Sequence, residues 1–391
     1  MARRPCDVAV VGGGYVGLWT ALLCARAGQA VTVVSDRPWP LRPRDRSRGS
    51  DVLPSAANAG MVFPLWLDFD NVWERYGQAD AVALCRASVA AVEQVRAFAE
   101  LHGCPWRGVE HLLVATHPRQ FALWQVLLDS LAWGGEGAVF RRVTADESQE
   151  RLGSPFGAGL AFGNCATVDP HALLGALRDA CLEAGVEIVH AHAGEVAAAD
   201  DGVELAFEDD RLAAGHTVLA LGGRAPASSA LALHLRAEFT WIGIWDGVGA
   251  EAGPAPDDPT CVSTLDEQMH YLRRLDDGAL LVGGSGPAGR TDHPSAQVRD
   301  GLRRLFPALV DRPPRTLYSG LLEVSEGLLP LVGSLHPRLH YASGLSGMGI
   351  ASSRLLAGIM AERAGEQEEE ELAALACVDE HELEADHVDL A

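Results

Sequence analysis

The stretch from Cys6 to Gly28, CDVAVVGGGYVGLWTALLCARAG, constrains this chain more than any other. Asp7 to Val11 reads as a short buried strand, Gly12-Gly13-Gly14 as a tight turn, Tyr15 to Ala27 as a helix and Gly28 as its stop, with a second strand at Val31 to Val34. Gly12-x-Gly14-x-x-Gly17 thus sits between a strand and a helix, the context in which the pattern carries a mechanism. Gly12 lets the chain turn sharply, Gly14 leaves no side chain against a pyrophosphate, and Gly17 lets helix and strand approach. The helix N-terminus, with free N–H groups and partial positive charge, then faces a diphosphate. The same letters outline a secretory signal peptide, since Arg3 and Arg4 precede an apolar run ending in Ala25-Arg26-Ala27. Asp7 and the four glycines between Gly12 and Gly17 argue against that, each glycine costing a helix about 1 kcal/mol. The mature chain is therefore expected to begin near Met1.

An acidic residue should end the second strand to bind ribose hydroxyls. The strand reads VTVVSD, so Ser35 stands where the acid is expected and Asp36 one step later, followed by Arg37. Because side chains alternate along a strand, that slip turns Asp36 to the other face unless the strand end bends. Ser35, Asp36 and Arg37 are all carried as candidates.

Composition removes several function classes. All 31 basic residues are arginine, which excludes Schiff-base chemistry on lysine and a P-loop lysine. Net charge is −22, and the segment 365–391 contributes eleven acidic residues and no arginine, leaving −11 for the body. That argues against nucleic acid or an anionic membrane as partner. The acidic tail reads as solvated, although Leu372, Leu375 and Ala376 at helical spacing offer an apolar face. No run of 18 uncharged apolar residues is present, so no membrane span is expected. The eight cysteines are scattered, with no C-x-x-C and no zinc spacing, and fit reduced thiols in a cytoplasm.

With 391 residues and 48% hydrophobic content the chain suits two domains. Nucleotide-type segments recur at three distant places. After Asp7 to Asp36, the second begins at Asp169-Pro170, continues through a helix (His171 to Ala184) and strands, and ends at Gly222-Gly223; the third is YASGLSGMGIASSRLLAGIMAE. Between them lie an Arg- and Pro-rich loop at 37–54, with arginines at 42–48, a helical stretch at 71–104 and a strand-rich stretch at 236–290. This interleaving predicts an α/β fold with a discontinuous Rossmann-like dinucleotide domain (1–70, 150–230 and 320–364). An antiparallel-sheet α+β substrate domain (71–149 and 231–319) and the acidic tail (365–391) make up the rest.

The segments VVGGGYVGLWTAL, SAANAG, VDPHALLGAL, and YSGLLEVSEGLLPLVG with YASGLSGMGI, in this order, resemble the D-amino-acid-oxidase superfamily of FAD-dependent amine and amino-acid oxidoreductases. The resemblance covers residues 6–362 and implies an FAD-binding domain of the GR2 type. The Gly-Leu-Trp-Thr-Ala turn and the spacing from Tyr318-Ser319-Gly320 to Pro330 look most like the gamma-glutamylputrescine oxidoreductase branch. The cofactor contacts it implies are Gly12, Gly14, Tyr15, Val16 and Gly17 at the diphosphate turn, and Ser55, Asn58, Ala59, Gly60 and Met61 near the flavin. It further implies Val196 at the adenine through its backbone, Gly222 and Gly223 over the diphosphate, and Gly320 beside the ring. Ser346, Gly347, Met348 and Gly349 would lie under the isoalloxazine, with the helix from Ile350 aimed at its N1–C2=O edge.

Two departures shape the expected chemistry. Where amino-acid oxidases carry a GLRP-like arginine for the substrate carboxylate, this chain reads Gly320-Leu321-Leu322-Glu323. An ammonium substrate held by Glu323 or by aromatic faces at Trp241, Trp245 and Tyr271 is one reading, and Arg273 as carboxylate partner is another. Sarcosine-oxidase relatives use a lysine beside the flavin to promote reaction with oxygen. Here the acceptor is dioxygen assisted by an arginine or His270, or a different acceptor altogether. No cysteine matches the covalent flavin attachment, so FAD is expected to be noncovalent. The implied reaction takes a hydride from the carbon bearing a neutral amine, with His270, Glu323, Tyr271 and Met348 as the catalytic candidates. A flavin enzyme oxidising a C–C or C–O bond and a non-catalytic dinucleotide-binding redox protein are the alternatives.

Overall fold

Short valine-rich runs separated by a glycine turn and one helix can pair only as parallel neighbours, and the computed structural model has them so. It describes residues 5–36, 53–117, 127, 129, 131, 139–152, 156–207, 210–223, 231–248, 260–265, 269–287, 301–325, 329–365 and 387–390. Arg37, the arginines at 42–48 and the tail segment 366–386 fall outside the described residues. β1 (Cys6–Val11), α1 (Tyr15–Arg26) and β2 (Val31–Ser35) form the opening unit. The chain leaves it through β3 (Met61–Val62), α2 (Phe69–Tyr76), α3 (Gln78–Leu101), β4 (Trp106–Val114), β5 (Phe140–Val143), α4 (Ala145–Leu152) and β6 (Gly159–Val168).

It returns through α5 (Pro170–Glu183), whose start is fixed by the Asp169 carboxylate accepting the His171 and Ala172 N–H groups at 2.8 and 3.0 Å. β7 (Glu187–His190), β8 (Ala193–Ala199), β9 (Gly202–Phe207) and β10 (Asp210–Leu219) follow. A second excursion runs β11 (Leu235–Trp245), β12 (Cys261–Thr264), β13 (His270–Arg274), β14 (Leu280–Pro287), a short helix at 301–305 and β15 (Thr316–Ser325). β16 (Leu331–His336), β17 (Leu339–Ser343), α6 (Gly349–Gly365) and β18 (His387–Asp389) complete it.

Two nine-stranded sheets result. The first has the order β18-β8-β9-β10-β1-β2-β7, with β17 also beside β10 and β16 beside β17. β7, β2, β1, β10 and β17 run parallel, so their carboxyl ends bring Gly12–Gly14, Asp36, Gly222–Gly223 and the 344–348 loop to one side. In open parallel sheets that side is where ligands bind. The second sheet has the order β15-β11-β14-β13-β12-β4-β6-β3, with β5 on β6.

The sheets do not divide where the sequence divisions do. β3, β6 and the 320–325 end of β15 pair within the second sheet, although the sequence reading grouped them with the first. Conversely α3 packs on α6, and its Phe98 ring meets Trp19 of α1 edge-on at 4.7 Å, in an apolar cluster that also takes in Leu113 and Phe162 of the second sheet. Pairing with strands distant in the chain decides membership, and no local pattern reports it. The tail's last residues also depart from a solvated reading, because β18 pairs with β8 and Val388 is fully buried. Among the described residues no helix is long and apolar enough to cross a membrane and no group of side chains is arranged to hold a metal. The seven described cysteines are free thiols.

Candidate cofactor cleft and substrate face

The first glycine turn is closed to side chains by contact as well as by conformation. Gly12 has φ +120°, and a Cβ there would stand 2.1 Å from the Ala220 carbonyl oxygen; at Gly17 it would stand 1.9 Å from the Gly12 oxygen. Gly14 caps α1, whose first turn carries no side-chain cap and no acidic residue. The Tyr15 N–H donates to Ser55 Oγ at 3.1 Å, while the first-turn N–H groups of Val16 and Gly17 have no intrahelical acceptor. The Tyr15 hydroxyl donates to the Pro170 carbonyl at 2.8 Å, tying α1 to the start of α5.

Around this turn the other sequence candidates take distinct places. Ser35 is buried at the end of β2, with its Oγ 2.9 Å from where a Gly13 Cβ would lie. Asp36 turns the other way, its carboxylate 3.9 Å from His192 Nδ1. Val196 is fully buried in β8, in the apolar cluster that includes Val11 and Val34. Gly223 abuts β15, where a Cβ would meet the Leu321 oxygen at 2.3 Å, and a Cβ at Gly222 or Gly347 would meet nothing within 4 Å. Asn58 builds the loop before β3: its amide donates to Pro54 O at 3.0 Å and Ser55 O at 3.1 Å, and its Oδ1 accepts the Gly60 N–H at 2.8 Å. Met61 begins β3, and the Gly60 oxygen accepts the Val168 N–H at 2.9 Å.

Ahead of α6 the loop carries positive φ at Ser346 (+47°) and Gly347 (+92°), and Met348 and Ile350 are buried where Gly349 opens the helix. Side-chain-free turns, an uncapped helix start and the open space beside Gly222 and Gly347 together fit a long dinucleotide laid across the carboxyl ends of the strands.

The second sheet supplies the facing wall, and strand alternation decides who stands on it. Tyr318, Gly320 and Leu322 of β15 share the front face with Thr240, Ile242 and Ile244 of β11, and with Tyr271 and Arg273 of β13. Their sequence neighbours face backward. Trp241 and Trp245 lie in the core packed on the 301–305 helix, with the Trp245 N–H donating to Arg312 O at 2.9 Å. His270 sits edge-on to Trp241 at 6.1 Å, with its Nδ1 3.1 Å from Arg304 Nη2. The structure thus separates His270, Trp241 and Trp245 from Tyr271, since adjacent strand residues cannot share a face, and an aromatic cage of Trp241, Trp245 and Tyr271 is not assembled.

Tyr271 lies flat over Gly283, where a Cβ would be 2.1 Å from its ring. Its hydroxyl reaches Thr240 Oγ1 at 2.8 Å, Thr240 donates onward to Gly284 O at 3.1 Å, and burial pushes the phenol up to about 12. Arg273, only 9% exposed, donates from Nε to the Ala59 carbonyl at 2.6 Å and pairs with no carboxylate among the described residues. Burial lowers its pKa from the usual arginine range. A cavity of about 660 Å³ opens here, lined by Asn58, Arg273, Tyr318, Ile244 and Leu281 and by the carboxylates of Asp169, Asp276 and Asp277, of which Asp276 and Asp169 act on Arg273 through space without an ion pair; Arg107 at its edge makes an exposed ion pair with Asp276 at 3.4 Å.

Glu323 stands apart from this wall. It points to the opposite face from Leu322 and is 5% exposed beneath the 343–346 loop. Burial pushes its carboxyl up to about 7, against the pull of the Gly344 and Leu345 N–H groups and the Ser343 hydroxyl. It is therefore not brought together with Tyr271 and Arg273, and an ammonium clamp by Glu323 on the front face is not formed. Sequence reasoning passed over Tyr318 and Thr240 as front-face residues. The two-residue step between Tyr271 and Arg273 was the signal that marks the face, but only the pairing shows what lies across from it.

The model of the family described as FAD dependent oxidoreductase matches residues 7–363. No curated protein sequence matches the chain. Among solved structures the fold is similar to glycine oxidase from Geobacillus kaustophilus, with TM-score 0.73 and 19% identity over 97% of this chain and 100% of that one. It is also similar to L-proline dehydrogenase from P. horikoshii, with TM-score 0.70 and 16% identity over 95% and 96% of the two chains. Iminodiacetate oxidase from Chelativorans sp. BNC1 gives TM-score 0.68 and 17% identity over 93% and 96%.

Proposed function

We propose, on the premise that this chain belongs to the FAD dependent oxidoreductase family, that it binds FAD noncovalently and oxidises the C–N bond of a carboxylate-bearing amine. The product is an imine that water hydrolyses. One observation carries the choice of substrate: Arg273 is a buried guanidinium facing a cavity without a carboxylate partner among the described residues. An unpaired buried cation is costly, and a planar carboxylate docked on it bidentately removes that cost. The glycine oxidase, L-proline dehydrogenase and iminodiacetate oxidase folds are named for substrates of this class, which supports the reading. The turn and spacing shared with the gamma-glutamylputrescine oxidoreductase branch support an amine as the oxidised group.

When bound, FAD supplies the hydride acceptor. The rest is positioning by this chain's own groups. Gly12, Gly14 and Gly17 would let the diphosphate meet the first turn of α1, and at the end of β2 either Ser35 or Asp36, which turn opposite ways, would hold the ribose. Arg273 orients the carboxylate, and the Tyr318 phenol, buried and with its pKa raised, stays a neutral donor beside it. Ile244 and Leu281 supply an apolar part of the same cavity's wall. No side-chain base is required when the amine arrives neutral, in keeping with His270 and Glu323 both facing away from the front of the sheet. Free thiols throughout the described chain suit a reducing compartment such as the cytoplasm.

The reading is tested on purified protein. It should be yellow, release FAD to the supernatant on acid precipitation, and form ammonia or a free amine in step with substrate oxidation. Flavin retained in the pellet would contradict noncovalent binding. Oxidation of an acyclic amine with no nitrogen released would instead support the C–C or C–O alternative.

A further inference from the structure

Glu323 is buried, ionisable and unused by the chemistry above, yet it is built into the loop that closes the cofactor cleft. It lies on β15 beneath residues 343–346, at the carboxyl end of the parallel strands. The loop is laced to it and its neighbours: the Ser346 N–H donates to the Glu323 carbonyl at 3.2 Å, Val324 bridges Leu345, and the Ser325 N–H donates to Ser346 Oγ at 3.4 Å. The Gly344 and Leu345 N–H groups lower the proton affinity that burial raises, while Glu323 Oε2 and the Ser343 hydroxyl are both buried with no hydrogen-bond partner among the described residues. A carboxyl only 5% exposed with one unclaimed oxygen is suited to gain and lose a proton as nearby charge changes.

We propose that Glu323 is a proton-linked positioning residue of the cleft, which takes up one proton when the cofactor receives a hydride and releases it on reoxidation. The inference rests on the FAD reading above. The balance is simple: a hydride carries two electrons and one proton, so its arrival adds one negative charge to the cleft. An O–H bond then forms at Glu323 with a proton from solvent, no other bond to the residue breaks, and the charge of the cleft is restored. The 344–347 loop is spared the approach of two negative charges.

Among the described residues, the groups facing Glu323 leave it as the one carrier. From the loop they are Ser343 and Ser346, which do not ionise in this range; across β11 Glu323 pairs with Ala237, while Arg236 and Glu238, paired with each other at 2.8 Å, point to the other face. No other titratable side chain among the described residues contributes to the shift of Glu323.

The test is the flavin midpoint potential of the holoenzyme, measured spectroelectrochemically between pH 6 and 9, for wild type and Glu323→Gln. Above pH about 7 the wild-type potential should fall with two protons per two electrons, twice the slope expected for one, whereas the variant should show the one-proton slope throughout. The difference is about 30 mV per pH unit, the two-electron equivalent of a tenfold change. Equal slopes overturn the proposal. Should Glu323→Gln fail to hold flavin, proton uptake by wild type alone decides: when the flavin is reduced electrochemically through a mediator, which supplies electrons without a proton, an indicator dye at pH 8 should record about two protons per flavin reduced, and one overturns it. Protein that carries no flavin would instead refute the FAD reading, so the two failures are distinguishable.

Discussion

Arg273→Met is expected to lower kcat/KM for an amino-acid substrate by roughly 30- to 5,000-fold, the range that follows when truncating one partner of a buried charge pair costs about 2–5 kcal/mol. The loss should appear mainly in KM if the carboxylate is held equally in ground and transition states, and in kcat as well if it also fixes the reacting carbon. Arg273→Lys should recover only part, since an ammonium cannot make the planar two-point contact. Stability separates this role from a structural one. In the free protein the guanidinium is buried with the Ala59 carbonyl as its hydrogen-bond partner among the described residues, so replacing it with an apolar side chain of similar length should leave Tm unchanged or raised. A large fall in Tm together with unchanged kinetics would make Arg273 a strut for the 54–60 loop and nothing more. Both readouts come from the same purified variants.

Gly12→Ala should remove bound flavin. The new methyl group would fall 2.1 Å from the Ala220 oxygen at φ +120°, so both β10 and the turn must shift. Overpacking of this kind costs about 1–3 kcal/mol and the unfavourable backbone region a further 1–2. An affinity loss on the order of a hundredfold or more is expected, read as the ratio of flavin to protein absorbance after gel filtration. Gly28→Ala is the matched control, because Gly28 also has positive φ (+92°) but a Cβ there meets nothing within 4 Å. It should cost some stability and keep the flavin. If both variants stayed yellow, the first turn would not be carrying the diphosphate.

What could be read from the sequence was local. The opening strand, turn and helix follow from a contiguous pattern, and so does α5, whose Asp169-Pro170 start is a cap followed by a residue that lacks the N–H the helix cannot use there. Face assignment in the second sheet was half legible. Period-two alternation says that His270 and Tyr271 diverge, as do Leu322 and Glu323, but not which of each pair meets the cleft. Those choices are made by residues remote in the chain: Gly283 gives Tyr271 a surface to lie on, and Gly301 brings the 301–305 helix against His270. The same holds for Glu323, whose surroundings come from a loop twenty residues downstream. Ser35 and Asp36 illustrate the alternation directly, one beneath the glycine turn and the other toward His192.

The central claim is that a carboxylate anchored at Arg273 presents a C–N carbon to a flavin held by separated glycine turns. The most direct measurement is anaerobic rapid mixing of the holoenzyme with an amino acid and, separately, with the amine that remains when its carboxyl group is removed, following the loss of the visible flavin bands. The account predicts saturable bleaching by the amino acid, with the decarboxylated amine at least about thirtyfold less efficient. Equal or faster bleaching by the amine would contradict it.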